Sequence, residues 1–234
     1  SFGFMERLDR YLAAAWKHGI SAMLCLSNEC AVRTPTFQPA VFGEQLWQPG
    51  FHGGREFGTW YAHGTDCRYN ILDDPEAAPR YYRMVHELIS TYAHDERVCV
   101  WNLMNEPGNG RGTKSLPHLA KFLEIGREIN PDQPLCADVW SGFKNCRATT
   151  EIEQFALEQS DIISFHSYTS YDDNIRIIHQ LRKLGRPAVN TEWLHRIGGE
   201  RGGGLVPPPF PLGRWWLRDR SLSAGAGSLP ALFP

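Results

Sequence analysis

The chain has 234 residues, of which 42% are hydrophobic and 21% are charged, a composition typical of a soluble globular protein with a sizeable core. Its 24 basic and 26 acidic residues give a formal net charge of -2 with no long run of either sign. Neither nucleic acid nor a membrane surface is therefore predicted as a partner, and no stretch reaches the ~18 apolar residues of a membrane span. The composition indicates no oligomeric state.

The six cysteines show no paired CxxC spacing, and three of them lie inside apolar, strand-like runs. Buried free thiols are therefore favoured over a disulfide framework or a zinc site, and no metal or cofactor is predicted. Unpaired cysteines and the absence of an Asn-x-Ser/Thr sequon slightly favour a cytoplasmic location. The many aromatic residues, 12% of the chain, suggest a pocket for flat apolar faces such as those of sugars.

The first half of the chain contains two helix-and-strand patterns separated by a long irregular stretch. The predicted elements are a helix over 4–18, a buried strand over 20–27, a helix over 75–95 and a strand over 98–104. Gly19 ends the first helix, and Asp74 caps the second with Pro75 at its first helical position. A connection of about 50 residues without periodicity, as between these patterns, is usually functional.

The second half repeats the alternation at shorter intervals. Helices are predicted near 115–129, 151–159 and 171–185, and strands over 135–140, 161–168 and 187–194. Continuous apolar strands alternating with amphipathic helices are typical of a parallel sheet with helical crossovers. The strand ends at 106, 140, 168 and 192 are 34, 28 and 24 residues apart, close to the ~31 residues per unit of a (β/α)8 TIM barrel. A doubly wound open sheet fits almost as well, although no GxGxxG turn follows any strand.

The predicted fold is an α/β (β/α)8 barrel that is incomplete, because five strands are recognised where closure needs eight. We expect residues 1–197 to form this partial barrel domain. Residues 198–234 contain Gly and Pro clusters and no sustained period, so they are predicted to be a low-complexity or disordered tail.

Two glutamates stand where predicted strands end. In a parallel barrel these ends open onto one face, so Glu106 and Glu192 are expected across a shared cleft. Two carboxylates held in that way can cleave a glycosidic bond, since one protonates the leaving oxygen while the other attacks or activates water. A single Glu at a strand end is more often a solvated or salt-bridged residue, so the interpretation depends on the pair.

The motifs "WNLMNEPG", "SFHSY" and "NTEW" resemble those of the clan A glycoside hydrolases, which include cellulases, mannanases and xylosidases. The resemblance spans about residues 4–195 and implies strands three to seven of the barrel, with the first two and the eighth missing or altered. It implies that Glu106 is the general acid and base and Glu192 the nucleophile of a retaining double displacement. By the same resemblance Asn105 binds the sugar 2-hydroxyl, and His166 and Tyr168 form a His-x-Tyr arrangement with Tyr168 near the nucleophile.

Three further residues are candidates for binding the carbohydrate substrate. Asn28 ends the strand that corresponds to the third of the barrel, within "SNECA", which departs from the His-containing ends of many cellulase-like members. Trp140 ends another strand and is either a sugar-stacking platform or a cap on the core. Trp193 directly follows Glu192.

Two other functions remain open from the sequence. The first is a non-catalytic barrel remnant that binds sugar through Trp140 and Trp193 without turnover. The second is a metal-dependent hydrolase that uses His166 and Asp138, which insensitivity of the activity to a chelator would exclude.

Overall fold

The structure is a computed structural model that describes residues 2–28, 72–109, 111–141 and 148–193. Most of the long irregular stretch lies outside these ranges. The predicted domain boundary at 197 and the predicted tail over 198–234 also lie outside them.

The described residues form helices and strands in the predicted order. The helices are α1 (Phe2–Trp16), α2 (Ala78–Tyr92), α3 (Leu116–Ile129), α4 (Glu151–Gln159) and α5 (Tyr171–Arg182), with a short 3-10 helix at Gly112–Ser115. The strands are β1 (Ala22–Cys25), β2 (Val98–Asn102), β3 (Leu135–Cys136), β4 (Asp138–Val139), β5 (Ile163–His166) and β6 (Ala188–Glu192). None of the helices in this part of the chain combines the length and the apolar character that crossing a bilayer requires.

All strand pairs are parallel, and they fall into two three-stranded sheets with the orders β1-β2-β3 and β4-β5-β6. The predicted strand over 135–140 is divided at Ala137. The backbone N–H of Ala137 donates to the hydroxyl of Ser160 (3.1 Å), while hydrogen bonds to the residues after β2 continue on either side, from the Leu103 N–H to the Cys136 carbonyl (2.8 Å) and from the Asp138 N–H to the Met104 carbonyl (3.4 Å). On one side of the break Cys136 pairs with Asn102, and on the other side Asp138 pairs with Ser164.

The predicted (β/α)8 barrel, complete or partial, is wrong. The described residues form a small α/β structure whose two open sheets do not close into a ring. Strand and helix alternation dictates parallel crossovers in either architecture, but closure requires eight strands with a matching tilt and stagger. Within the described ranges β1 and β6 each pair on one side alone, so the sheets keep their edges.

Two separate apolar clusters stabilise the sheets. The larger one packs α2 and α3 against the first sheet and contains the fully buried side chains of Trp101 and Phe122. Trp101 is therefore a core residue, and its indole N–H donates to the Gln133 side chain (3.0 Å). The smaller cluster lies under the second sheet and has five buried members, which are Val139, Ile163, Phe165, Ile177 and Leu181.

The ends of the helices follow ordinary capping chemistry. Gly19 has a positive φ of 71°, which agrees with its predicted role as a stop after α1. Asp74 accepts from the backbone N–H groups of Glu76 and Ala77 (2.9 and 3.1 Å), but it caps a preceding turn, and α2 begins only at Ala78. Thr150 accepts from the N–H of the third residue of α4, an N-cap that satisfies one of the four free donors of that helix.

Candidate active site

The parallel arrangement brings the carboxyl ends of the strands to one edge. Glu106 follows β2 by four residues, His166 is the last residue of β5 and Glu192 is the last residue of β6. The backbone pairing of the first sheet continues past the strands, since the N–H of Asn105 donates to the carbonyl of Ser27 (2.8 Å). The side chains of Glu106, His166 and Glu192 meet at this edge, as the two glutamate motifs predict.

Glu106 is held in a strained turn. Its φ is 44°, in the left-handed region that a non-glycine residue seldom adopts, and such strain clusters at functional sites. One carboxylate oxygen, Oε1, accepts from His166 Nδ1 (2.9 Å), and the other, Oε2, accepts from Asn109 Nδ2 (2.7 Å). Only 11% of the side chain is exposed, so both oxygens are oriented by protein donors in a largely desolvated setting.

Glu192 is more accessible than Glu106, with 36% of its side chain exposed. The hydroxyl of Tyr168 donates to Glu192 Oε2, the contact that the His-x-Tyr arrangement implies. The other oxygen, Oε1, lies 3.6 Å from His166 Nε2. One carboxylate oxygen of Glu192 is therefore engaged by a phenol while the other faces the imidazole.

The two glutamates lie close enough to act on one bond. A carboxylate oxygen of Glu106, a carboxylate oxygen of Glu192 and a ring nitrogen of His166 all lie within 4.8 Å of one another. Two ionised carboxylates at this range repel strongly unless a cation or a proton lies between them. The imidazole of His166 occupies that position.

His166 is almost fully buried, with 2% of its side chain exposed, and it contacts three carboxylates. Burial alone lowers the pKa of an imidazole, but the hydrogen bonds that its ring donates to Asp138 and Glu106, together with the charges of Asp138 and Glu192, outweigh this effect and raise the pKa of His166 from 6.5 to about 9. The ring is therefore doubly protonated at neutral pH, and both of its nitrogens act as donors.

A cluster of one histidine and two carboxylates could also hold a metal ion, because each of these side chains offers one suitable atom. Metal binding would require His166 to release the proton of one ring nitrogen, so a proton and a metal ion would compete for this position. With the proton in place, the three side chains form an ion-pair network.

The amide of Asn105 points towards the first strand. Its Nδ2 donates to the Asn28 side chain (3.0 Å), and the two residues also form an isolated parallel bridge. The structure thus brings together two residues that the sequence predicts to bind substrate. Their contact with a sugar stays a prediction.

The two candidate tryptophans adjoin different glutamates along the chain or through a hydrogen bond, Trp140 at Pro107 next to Glu106 and Trp193 directly after Glu192. Trp140 is half-buried, its indole N–H donates to the carbonyl of Pro107 (3.1 Å), and its backbone N–H donates to Glu153 (2.9 Å). It therefore supports the turn that carries Glu106. Trp193 is 40% exposed beside Glu192, where a flat apolar face is open to solvent.

Sequence reasoning assigned no catalytic role to two residues that contact the cluster. Asn109, three residues after Glu106 in "NEPGN", belongs to the same turn. Asp138, a fully buried carboxylate in β4, lies 3.5 Å from His166 Nε2, and the sequence points to it only in the metal-dependent alternative. The sequence feature that indicates this role is an Asp inside the apolar run "LCADVW", since a charge is rarely buried without a partner.

A scan against known protein families finds no match for this chain, and neither does a search of curated proteins. The assignment of a function therefore depends on the geometry of this site and on its motifs.

Proposed function

We propose that this chain is a retaining glycoside hydrolase that cleaves O-glycosidic bonds of β-linked carbohydrates by double displacement. The observation that carries the proposal is the pair of carboxylate oxygens of Glu106 and Glu192 within 4.8 Å. Retaining enzymes hold their carboxyl groups ~5 to 5.5 Å apart, whereas inverting enzymes need ~6.5 to 9.5 Å to admit a water molecule. Oxygens within 4.8 Å of each other place both carboxyl groups at one bond, and the choice of retention follows the resemblance of the two glutamate motifs.

In the first step Glu192 attacks the anomeric carbon as its carboxylate. The bond from this carbon to the glycosidic oxygen breaks, and that oxygen takes through Glu106 the proton that His166 Nδ1 shares with Glu106 Oε1, so the leaving group departs as an alcohol and His166 is left neutral. In the second step Glu106, now a carboxylate, takes a proton from water as the water oxygen attacks the same carbon. Glu192 leaves as a carboxylate, and two inversions give net retention of the anomeric configuration.

The contacts around the pair suit these roles. Tyr168 donates to Glu192 Oε2, which leaves Oε1 as the attacking oxygen. His166 and Asn109 fix the two oxygens of Glu106, which limits its rotation and orients it for proton transfer. This chemistry consumes no cofactor, since acid, base and nucleophile are all side chains.

The test is turnover of a panel of aryl β-glycosides, followed by the release of the phenol. We expect Glu106→Gln and Glu192→Gln to lower kcat by at least ~100-fold, because each removes a group that takes part in bond cleavage. Glu128→Gln, at an exposed position on α3, is the matched control and should leave kcat unchanged.

The stereochemistry gives an independent check. An activated 2-deoxy-2-fluoroglycoside should become bound to Glu192, which peptide mass spectrometry would locate, and proton NMR should show the β-anomer as the first product. Formation of the α-anomer, or undiminished turnover by the Glu192→Gln variant, would contradict the proposal.

A carbohydrate-binding protein without turnover is the second candidate, and the 40% exposure of Trp193, the residue after Glu192, favours it. Binding of an oligosaccharide by the wild-type chain, without hydrolysis and with loss of affinity in Trp193→Ala, would support this candidate over the enzyme.

A further inference from the structure

Asp138 is a carboxylate buried directly behind the cluster. Its side chain has 0% exposure, and it lies on β4 between Asn102 of β2 and Ser164 of β5. Asn102 Nδ2 lies 3.0 Å from one carboxylate oxygen and 2.8 Å from the other, and the hydroxyl of Ser164 donates to the first of these. Neutral donors stabilise an ionised carboxylate, but a charge buried this deeply also needs a cation.

The cation is His166. Its Nε2 lies 3.5 Å from Asp138 Oδ2 and 3.6 Å from Glu192 Oε1, while its Nδ1 lies 2.9 Å from Glu106 Oε1. One ring therefore contacts a carboxylate from β4, one from β6 and one from the turn after β2. A partner that served only to neutralise Asp138 would not need its second nitrogen directed at Glu106.

We propose that Asp138 is a positioning residue of the active site, which acts through His166 and holds the ring with one N–H on Glu106 and the other between Asp138 and Glu192. This assignment rests on the proposed glycosidase function. Asp138 is screened from solvent by the sheet, so it touches no substrate, and its effect reaches the sugar only through the ring.

The other titratable groups around this cluster do not replace the charge of Asp138. Glu106 and Glu192 face the ring from β2 and β6, and Tyr168 bonds to Glu192. Cys25 is exposed in part at the end of β1, yet its thiol is desolvated, and burial together with the charge of Asp138 raises its pKa to about 12. Cys25 is therefore neutral over the working range of the site.

Removing the charge of Asp138 should make His166 lose a proton at lower pH. A neutral ring has one N–H and cannot donate to both sides of the cluster. The carboxylates of Glu106 and Glu192 would then lose the cation between them and repel each other. Catalysis at alkaline pH should fail at the point where His166 deprotonates.

The experiment compares the wild-type chain with the Asp138→Asn and Ser164→Ala variants by long-range proton-nitrogen NMR of the His166 ring. We expect the ring to be doubly protonated at neutral pH in the wild type. Asp138→Asn keeps the shape of the side chain and should lower the pKa of His166 by ~1 to 2 units. Ser164→Ala removes a hydrogen bond to Asp138 but keeps its charge, so this control should titrate close to the wild type.

The pH profile of kcat/KM on an aryl β-glycoside is the second readout. We expect the alkaline limb to move down with the pKa of His166 in Asp138→Asn, with KM unchanged at neutral pH. A purely structural role for Asp138 would lower activity at every pH without moving the limb, and this result would overturn the proposal.

Two further outcomes separate the inference from the function. A wild-type ring that is singly protonated at neutral pH overturns the inference, even if Asp138→Asn fails to fold. A wild-type chain without turnover on any aryl glycoside overturns the proposed function, whereas the titration of His166 still decides whether Asp138 controls the ring.

Discussion

The two sheets contribute unequal halves of the site. Glu106 follows β2, which packs on the larger apolar cluster, and 11% of its side chain is exposed. Glu192 ends β6, whose five residues are all half-buried, and 36% of its side chain is exposed. Glu106 is therefore held by a deep core, while Glu192 depends on a thin core and on contacts with Tyr168 and His166. This difference predicts that the second sheet limits the integrity of the site.

The largest effect should come from the two buried phenylalanines, which form a matched pair. Phe122 and Phe165 both have 0% exposure, but Phe122 stacks on Tyr81 (5.9 Å between centroids) within the larger cluster. Phe122→Ala should lower the free energy of unfolding by about 3 to 5 kcal/mol. Phe165→Ala should cost about 3 kcal/mol or less, because a cluster of five buried residues can collapse around the cavity. Urea denaturation measures both.

Native-state hydrogen exchange shows whether the two sheets, each with its own apolar cluster, open separately. Phe165→Ala should accelerate exchange in β4, β5 and β6 and leave β1 and β2 protected, since local openings follow contiguous packing units. Equal losses in unfolding free energy, together with faster exchange in both sheets, would show that the two clusters behave as one.

The second prediction concerns the ion pairs that join the halves. The pKa of His166 is raised from 6.5 to about 9 in the folded chain. The folded state therefore binds this proton more tightly than the unfolded state does. The resulting stability is fully present below pH 6.5 and is lost as the pH rises through about 9. The loss should amount to at most about 3 kcal/mol.

Thermal or urea unfolding at a series of pH values between 6 and 10 measures this loss. His166→Gln should be less stable at pH 6 and should show a flatter dependence in this window. His86→Gln, at an exposed position on α2, is the matched control and should keep the wild-type slope. If the unfolding free energy depends on pH equally in the wild type and in His166→Gln, His166 is not the cause of the pH dependence.

Much of this architecture follows from local patterns. Apolar periodicity locates each described helix and strand to within a few residues, since it records which face is buried. The rule that parallel strands end at one edge predicts that Glu106 and Glu192 meet, although they are 86 residues apart. Both inferences require only the residues of one element or one edge.

The features that sequence reasoning did not predict depend on contacts between residues far apart in the chain. The predicted strand over 135–140 is divided at Ala137, whose N–H donates to Ser160, 23 residues later, and two sheets replace the predicted barrel. The role of Asp138 depends on Asn102 and Ser164, which are 36 and 26 residues away. Hydrophobic periodicity carries no information on such pairings, so sequence reasoning could not place them.

The smallest of these effects should come from the turn that joins Glu106 to the first sheet. Gly108 has a φ of 82°, and a Cβ there would lie 2.9 Å from the backbone oxygen of Gly112 and 3.1 Å from Ile152. Gly108→Ala should therefore cost about 1 to 3 kcal/mol of unfolding free energy. Because Glu106 lies two residues away, kcat/KM on an aryl glycoside should also fall.

Gly112→Ala separates backbone strain from the clash. Gly112 also has a positive φ, 60°, but a Cβ there would have nothing within 4 Å, so its substitution carries the strain alone. Gly108→Ala should be the more damaging of the two, and it alone should lower kcat/KM, since its methyl group pushes against the turn that orients Glu106. If both variants lose the same stability and keep full activity, the turn is not what orients the Glu106 side chain, and this orientation depends on His166 and Asn109 instead.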